Sequence, residues 1–131
     1  MQRPTTIRLR ASLFQDAAAI VGSDYSENLS LDEIARRVAS SRRQLQRAFS
    51  EVGGTTFREY LTAVRMDVAA GLLADRELTV REVARRVGYR QPAQFAKAFR
   101  RRHGSAPSKF RTQARFAVAR EAAAVPADRA A

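Results

Sequence analysis

Leu31-Asp32-Glu33-Ile34-Ala35-Arg36-Arg37-Val38 recurs 49 residues later as Val80-Arg81-Glu82-Val83-Ala84-Arg85-Arg86-Val87. Further on, Leu45 and Phe49 return as Phe95 and Phe99, now at an offset of 50. One residue has therefore been added inside the second copy, where it leaves both apolar patterns intact. A segment that tolerates such an addition is a turn between two regular elements. In the first element of each copy, Leu31, Ile34, Ala35 and Val38, then Val80, Val83, Ala84 and Val87, fall at i, i+3, i+4 and i+7. That spacing is one face of a helix. The second elements place Leu45, Ala48, Phe49 and Val52, or Phe95, Ala98 and Phe99, at helical spacing. The repeating unit reads as helix, short turn, helix. These stripes are core, and the alanine in each first helix lets the second helix approach closely.

Capping chemistry marks the same boundaries. Ser30 with Glu33, Ser41 with Gln44, Thr56 with Glu59 and Thr79 with Glu82 each have the spacing of a capping box. In that motif a hydroxyl accepts from the third amide and the acid or amide side chain reaches back. Between the copies, Phe57, Tyr60, Leu61, Val64, Val68, Leu72 and Leu73 describe a linker helix to about Ala74. Leu13, Phe14, Ala17, Ile20 and Val21 describe a helix from Ser12 to about Asp24. Pro107 suits a first helical position and opens a last helix to about Phe116. No alternating strand pattern is present. The expectation is all-α: seven helices, two helix-turn-helix subdomains (about 31–52 and 80–102) and a long linker helix (about 57–74), in a homeodomain-like fold. Residues 1–11 read as an N-terminal arm, 12–113 as the domain and 114–131 as an alanine-rich tail.

Composition narrows the function. The 131 residues hold no cysteine and one histidine, His103. Thiolate metal sites, cysteine nucleophiles and two-histidine metal sites are thereby excluded. No paired-acid cluster, Gly-rich phosphate loop or Ser-His-Asp arrangement is evident, so the chain reads as a non-enzyme without cofactor, metal or small-molecule ligand. No apolar run reaches the ~20 residues of a membrane span, and the first ten residues lack a secretory apolar stretch. A cytoplasmic, nucleoid-associated protein is expected. The net charge of +11 favours a polyanionic partner. Its distribution is uneven: residues 55–80 sum to −1, whereas residues 81–111 carry ten Lys or Arg against Glu82 alone.

In a helix-turn-helix the second helix enters the major groove and its outward N-terminal residues meet base edges. Removing the buried positions of the first copy leaves Arg42, Arg43, Gln46, Arg47 and Ser50 outward. Arg suits guanine O6 and N7, and Gln suits adenine. In the second copy Pro92, Ala93, Gln94, Ala96 and Lys97 face outward, a set poorer in hydrogen-bonding groups. The base-reading candidates are therefore Arg42, Arg43, Gln46, Arg47, Pro92, Ala93, Gln94 and Lys97. Ser41, Arg90, Arg100, Arg101, Arg102, Lys109 and Arg111 are the backbone candidates, which position without reading sequence. Two readers on one face of a duplex must lie about one turn, roughly 34 Å, apart, so bent DNA or partial engagement is expected. An RNA-binding module would carry aromatics on an open sheet face or a GXXG loop, and here the aromatics fall on core positions. A protein-interaction scaffold is the remaining alternative.

Gly88-Tyr89 and the run Phe95-Ala96-Lys97-Ala98-Phe99-Arg100-Arg101-Arg102-His103-Gly104-Ser105-Ala106-Pro107-Ser108-Lys109-Phe110-Arg111 resemble the signature of AraC/XylS-type transcriptional regulators. Arg65, Ala69, Leu72 and Leu73, and the first copy from Leu29 to Phe49, are similar as well. The resemblance covers about residues 12–113. It implies seven helices, promoter binding to double-stranded DNA, and readers on the third and sixth helices, with Gln46 and Arg47 matching DNA-reading positions. It further implies the monomeric, single-domain form of the family, with recruitment of RNA polymerase and activation. The alternative is the detached DNA-binding part of a larger effector-responsive regulator. Two departures stand out. Arg43 replaces a tryptophan contact, and Ala39-Ser40 stands where the family favours Gly plus an aromatic, which is expected to loosen that turn.

Overall fold

A computed structural model describes the backbone of residues 4–114. Among the described residues there are seven helices and no strand: α1 (Pro4–Asp24), α2 (Leu31–Arg37), α3 (Arg42–Glu51), α4 (Phe57–Leu72), α5 (Val80–Arg86), α6 (Pro92–His103) and α7 over 107–114. The expected arm is a correction, because α1 begins at Pro4 and not near Ser12. Its first turns expose Ile7 and Leu9, so they carry no amphipathic signal, and Arg10 is held by an ion pair to Glu51. The expected tail lies, but for residue 114, outside the described residues, as does the end of α7.

Both helix-turn-helix turns are built alike. After α2, the Ala39 amide donates to Arg36 O (3.1 Å) and the Ser40 amide to Ala35 O (2.8 Å). After α5, the Gly88 amide donates to Arg85 O (3.1 Å) and the Tyr89 amide to Ala84 O (2.9 Å). This pair of bonds is the Schellman closure, which satisfies orphan carbonyls and needs a left-handed residue. Gly88 meets that need at φ 96°; Ala39 takes φ 54° despite its Cβ. The expected loosening of the first turn is therefore not found, and a strained alanine holds the same bonds. The added residue falls where the repeat placed it. Two residues, Ala39 and Ser40, separate Val38 from the cap Ser41, but three, Gly88, Tyr89 and Arg90, separate Val87 from the cap Gln91.

All four predicted caps accept from the third amide: Ser30 from Glu33, Ser41 from Gln44, Thr56 from Glu59 and Thr79 from Glu82. The complete box with its returning side chain forms at Ser41–Gln44. At Thr56 the Glu59 carboxylate instead accepts from the Thr55 hydroxyl at 3.1 Å.

The chain divides into two compact units, Met1–Arg65 and Met66–Ala131. In the first, Ala17, Val21, Leu29, Ile34, Ala35, Leu45, Phe49 and Leu61 form one buried cluster. Phe49 is its hub, meeting Phe14 (5.3 Å), Tyr60 (5.7 Å) and Phe57 (5.9 Å) edge to face. Such ring pairs contribute about 0.5–1.5 kcal/mol each beyond their burial. Gly53 is fitted against this cluster, and a Cβ there would lie 2.6 Å from the Phe14 ring. Val52, expected in the core, is 42% exposed. In the second unit Met66, Ala69, Leu73, Leu78, Val83, Ala84, Val87, Phe95 and Phe99 are buried. The stripe read along α4 breaks after Val64: this unit buries Met66 and Ala69, whereas Val68 and Leu72 are half-buried.

One device is common to both units and is not visible in the repeat. Arg65 donates from Nε to Tyr25 O (2.7 Å) and from Nη2 to Glu27 O (2.8 Å), just beyond the end of α1. Arg111 donates from Nε to Leu73 O (2.8 Å) and from Nη2 to the Asp75 and Leu78 carbonyls, just beyond the end of α4. Each guanidinium satisfies carbonyls left without helical partners, through charge-assisted bonds. It thereby fixes the loop that leads into a helix-turn-helix. The two arginines are 46 residues apart, one helical turn short of the repeat offset, so sequence alignment does not pair them.

Candidate nucleic-acid interface

The outer face of α3 follows from what its inner face buries. Leu45, Ala48 and Phe49 are inside, so the 100° step per residue leaves Arg42, Arg43, Gln46, Arg47 and Ser50 outside, and all five are exposed. The Ser41–Gln44 box sets where this helix starts, hence which side chains form its first turns. Arg43, Gln46 and Arg47 have no ion pair or hydrogen-bond partner among the described residues. Arg42 lies 3.7 Å from the Asp32 carboxylate, both largely exposed, so the pair is weak.

On α6, Phe95 and Phe99 are buried, and Pro92, Ala93, Gln94 and Lys97 are exposed. Ala96, read as outward, is half-buried. Pro92 occupies the start of the helix, where its missing amide costs nothing. The last turn holds Arg100, Arg101, Arg102 and His103, a sign that suits the negative end of the helix dipole.

The expected backbone set separates into two groups. Ser41, Arg90, Arg100, Arg101 and Lys109 are exposed, and the four cations among them have no partner among the described residues. Arg102 and Arg111 are engaged within the protein. Arg102 makes a forked bond to Asp67 (3.1 and 2.8 Å), and Arg111 holds the three carbonyls at the end of α4. The Arg102 bond holds the Asp67 carboxyl below its ordinary range and raises the guanidinium in turn. His103 completes this tether: its Nε2 lies 3.2 Å from Met66 O and 3.4 Å from Asp67, and its ring packs on Phe99 and Phe110. These contacts anchor the end of α6 to α4. The arginine run 100–102 read as one cationic strip in sequence; only the partner at Asp67, 35 residues earlier, distinguishes its third member. Among the described residues no group of His, Asp or Glu has the arrangement of a metal site. No described helix is long and apolar enough to cross a membrane.

Two bihelical units, each presenting the outer face of its second helix with unpaired polar or cationic side chains, define a tandem helix-turn-helix protein. The family profile described as "Helix-turn-helix domain" matches residues 34–113. The chain belongs to this AraC-type helix-turn-helix family. It is 33% identical over 94 residues to the Msm operon regulatory protein of Streptococcus mutans, covering 72% of this chain and 34% of that protein. It is 30% identical over 86 residues to a protein of Proteus vulgaris named "Probable transcription factor PqrA", covering 66% of this chain and 70% of that one. Among solved structures it is similar to the DNA-binding domain of AdpA, a global transcriptional factor, in complex with a target DNA. That likeness has a TM-score of 0.71 at 30% identity, over 79% of this chain and 93% of that domain. The chain thus spans about a third of the length of the first of these relatives.

Proposed function

We propose that the protein is a sequence-specific DNA-binding transcriptional regulator that reads double-stranded DNA with α3 and α6. The observation that carries this reading is the outer face of α3. Arg43, Gln46 and Arg47, unpaired and exposed, stand on a helix whose opposite face is fixed by Phe49 and Leu45. Guanidinium and amide groups on a rigid helix are suited to bidentate contact with guanine and adenine edges. The α6 face, with Gln94 and Lys97 beside Pro92 and Ala93, offers fewer such groups and contributes more through phosphates. Ser41, Arg90, Arg100, Arg101 and Lys109 take the backbone role, and Arg102 and Arg111 a structural one. AdpA's DNA-binding domain, solved on a target DNA, supports the choice of duplex over RNA.

The finer reading is a monomeric, single-domain activator acting with RNA polymerase in the cytoplasm, on the nucleoid, without enzymatic activity or small-molecule ligand. The extent of the match to PqrA supports the single-domain form. A second reading, the same domain at work in a larger effector-responsive regulator, is favoured by the greater length of the Msm regulator. Fluorescence anisotropy with labelled random duplex, single-stranded DNA and structured RNA, each across a salt series, tests the function. Duplex preference with a steep salt slope is expected, and equal or tighter binding of RNA refutes it. Bent DNA in a circular-permutation gel assay is the expected geometry; straight DNA with both half-sites fully protected argues against it.

A further inference from the structure

Among the described residues three large apolar side chains are exposed, Ile7 (51%), Leu9 (67%) and Val52 (42%), and all three belong to one corner of the first unit. Ile7 lies one turn before Arg10 on α1, Leu9 directly precedes Arg10, and Val52 directly follows Glu51 at the end of α3. The Arg10–Glu51 ion pair therefore gathers them at one place. Apolar side chains exposed singly need no explanation, but a group of them among polar neighbours marks a contact surface. The second unit exposes none among its described residues. The chain around this corner is basic: residues 1–15 hold Arg3, Arg8 and Arg10 and no acid. Arg8, between the two apolar residues of α1, is exposed with no ion-pair or hydrogen-bond partner among the described residues. Glu51, the acid at the corner, is engaged by Arg10.

Charge and shape decide what covers such a corner. A second copy in a two-fold contact sets the same patch against itself, and so arginine against arginine. Residues 115–131, with three arginines and two acids, bring no negative excess either. A lipid surface holds an amphipathic helix along its length, whereas α1 from Leu13 onward turns its apolar side chains into the core of the first unit. An extended peptide finds no strand edge to join among the described residues. An amphipathic helix with acids beside its apolar stripe meets both needs, the stripe covering Ile7, Leu9 and Val52 and the acids meeting Arg8. We infer that this corner is the docking surface for an acidic, amphipathic helix of a partner protein. Val52 comes nine residues after Arg43, half a revolution round α3. The docked helix therefore lies behind α3 and leaves Arg43, Gln46 and Arg47 uncovered.

The probe is a fluorescein-labelled helical peptide carrying Leu and Glu at heptad spacing, followed by anisotropy at physiological salt. Saturable binding to the wild-type chain is expected. Affinity should fall about tenfold in Ile7→Ser/Leu9→Ser and severalfold in Val52→Ser and in Arg8→Ala, as apolar burial or the charge pair is lost. The same peptide with its leucines replaced by serine keeps the charge and should not bind saturably. Arg47→Ala and saturating random duplex should leave the peptide affinity unchanged. All the substituted side chains are exposed, and circular dichroism checks that the variants fold. No saturable binding to the wild-type chain overturns the inference. So does equal affinity for wild type and Ile7→Ser/Leu9→Ser, which reduces the contact to bulk charge. Displacement of the peptide by duplex moves the contact to the reading face and overturns it as well. Binding of the chain to phosphatidylglycerol vesicles that is lost in Ile7→Ser/Leu9→Ser, with no peptide binding, gives the corner to a lipid surface instead. A concentration-dependent dimer in sedimentation equilibrium, lost in the same variant, gives it to a second copy.

Discussion

Ala39→Gly is expected to stabilise the first unit, and the reason is local. Ala39 is exposed, so removal of its methyl group loses no buried surface. Its φ of 54° places Cβ against the following carbonyl, a conflict that costs an L-residue roughly 1–2 kcal/mol. Glycine removes that cost and adds freedom to the unfolded chain, which opposes stability by about 0.4–1 kcal/mol. The expected net gain is about 0.5–1 kcal/mol. In a unit of this size that raises Tm by roughly 2–8 °C. The mirror experiment is Gly88→Ala at φ 96°, which adds the strain to the second unit and lowers its stability by at least about 1 kcal/mol. Urea denaturation followed by circular dichroism measures both. A rise in midpoint for Ala39→Gly with unchanged m-value is the expected result. A fall, or no change alongside a large loss for Gly88→Ala, refutes the claim that both turns depend on the same left-handed residue.

Gly53→Ala forces a methyl group to 2.6 Å from the Phe14 ring and is expected to cost about 1–3 kcal/mol, read from the same denaturation curves. Arg111→Ala leaves the Leu73 and Leu78 carbonyls without their donor, so the second unit should lose about 1–3 kcal/mol, whereas a loss confined to DNA affinity would restore Arg111 to the phosphate-contact set. Asp67 is depressed chiefly by its bond to Arg102, so its stabilisation is present above the unfolded carboxylate pKa near 3.9 and is lost as pH falls through the lower folded value. The Tm gap between wild type and Asp67→Asn should therefore close as pH falls below about 4; a gap that stays undiminished at pH 2 contradicts the ion-pair account.

What sequence could and could not reveal follows from the range of each interaction. The two helix-turn-helix units were legible because their signals are local and doubled. The i, i+3, i+4, i+7 stripes and the hydroxyl caps occur twice at one offset, and an addition between them can only be a turn. The outer face of α3 was legible for the same reason, being what remains once Leu45, Ala48 and Phe49 are assigned inward. The first turns of α1 escaped, because Ile7 and Leu9 sit exposed on a helix held in place by the Arg10–Glu51 pair. The break in the α4 stripe escaped because one helix serves two cores, and periodicity assumes a single buried face. The intramolecular bonds of Arg102 and Arg111 escaped because a cation in a basic run reads as surface charge. Their partners, Asp67 and the carbonyls after α4, are more than 30 residues away in sequence.

The central claim is that α3 and α6 read a duplex, with the stronger base discrimination on α3. It is tested most directly by selecting bound sequences from a random duplex pool with the wild-type chain and with Arg47→Ala. An asymmetric two-part motif is predicted, with Arg47→Ala relaxing only the better-defined half by about 1–3 kcal/mol. A palindromic motif, or one whose preferences survive the substitution unchanged, contradicts it.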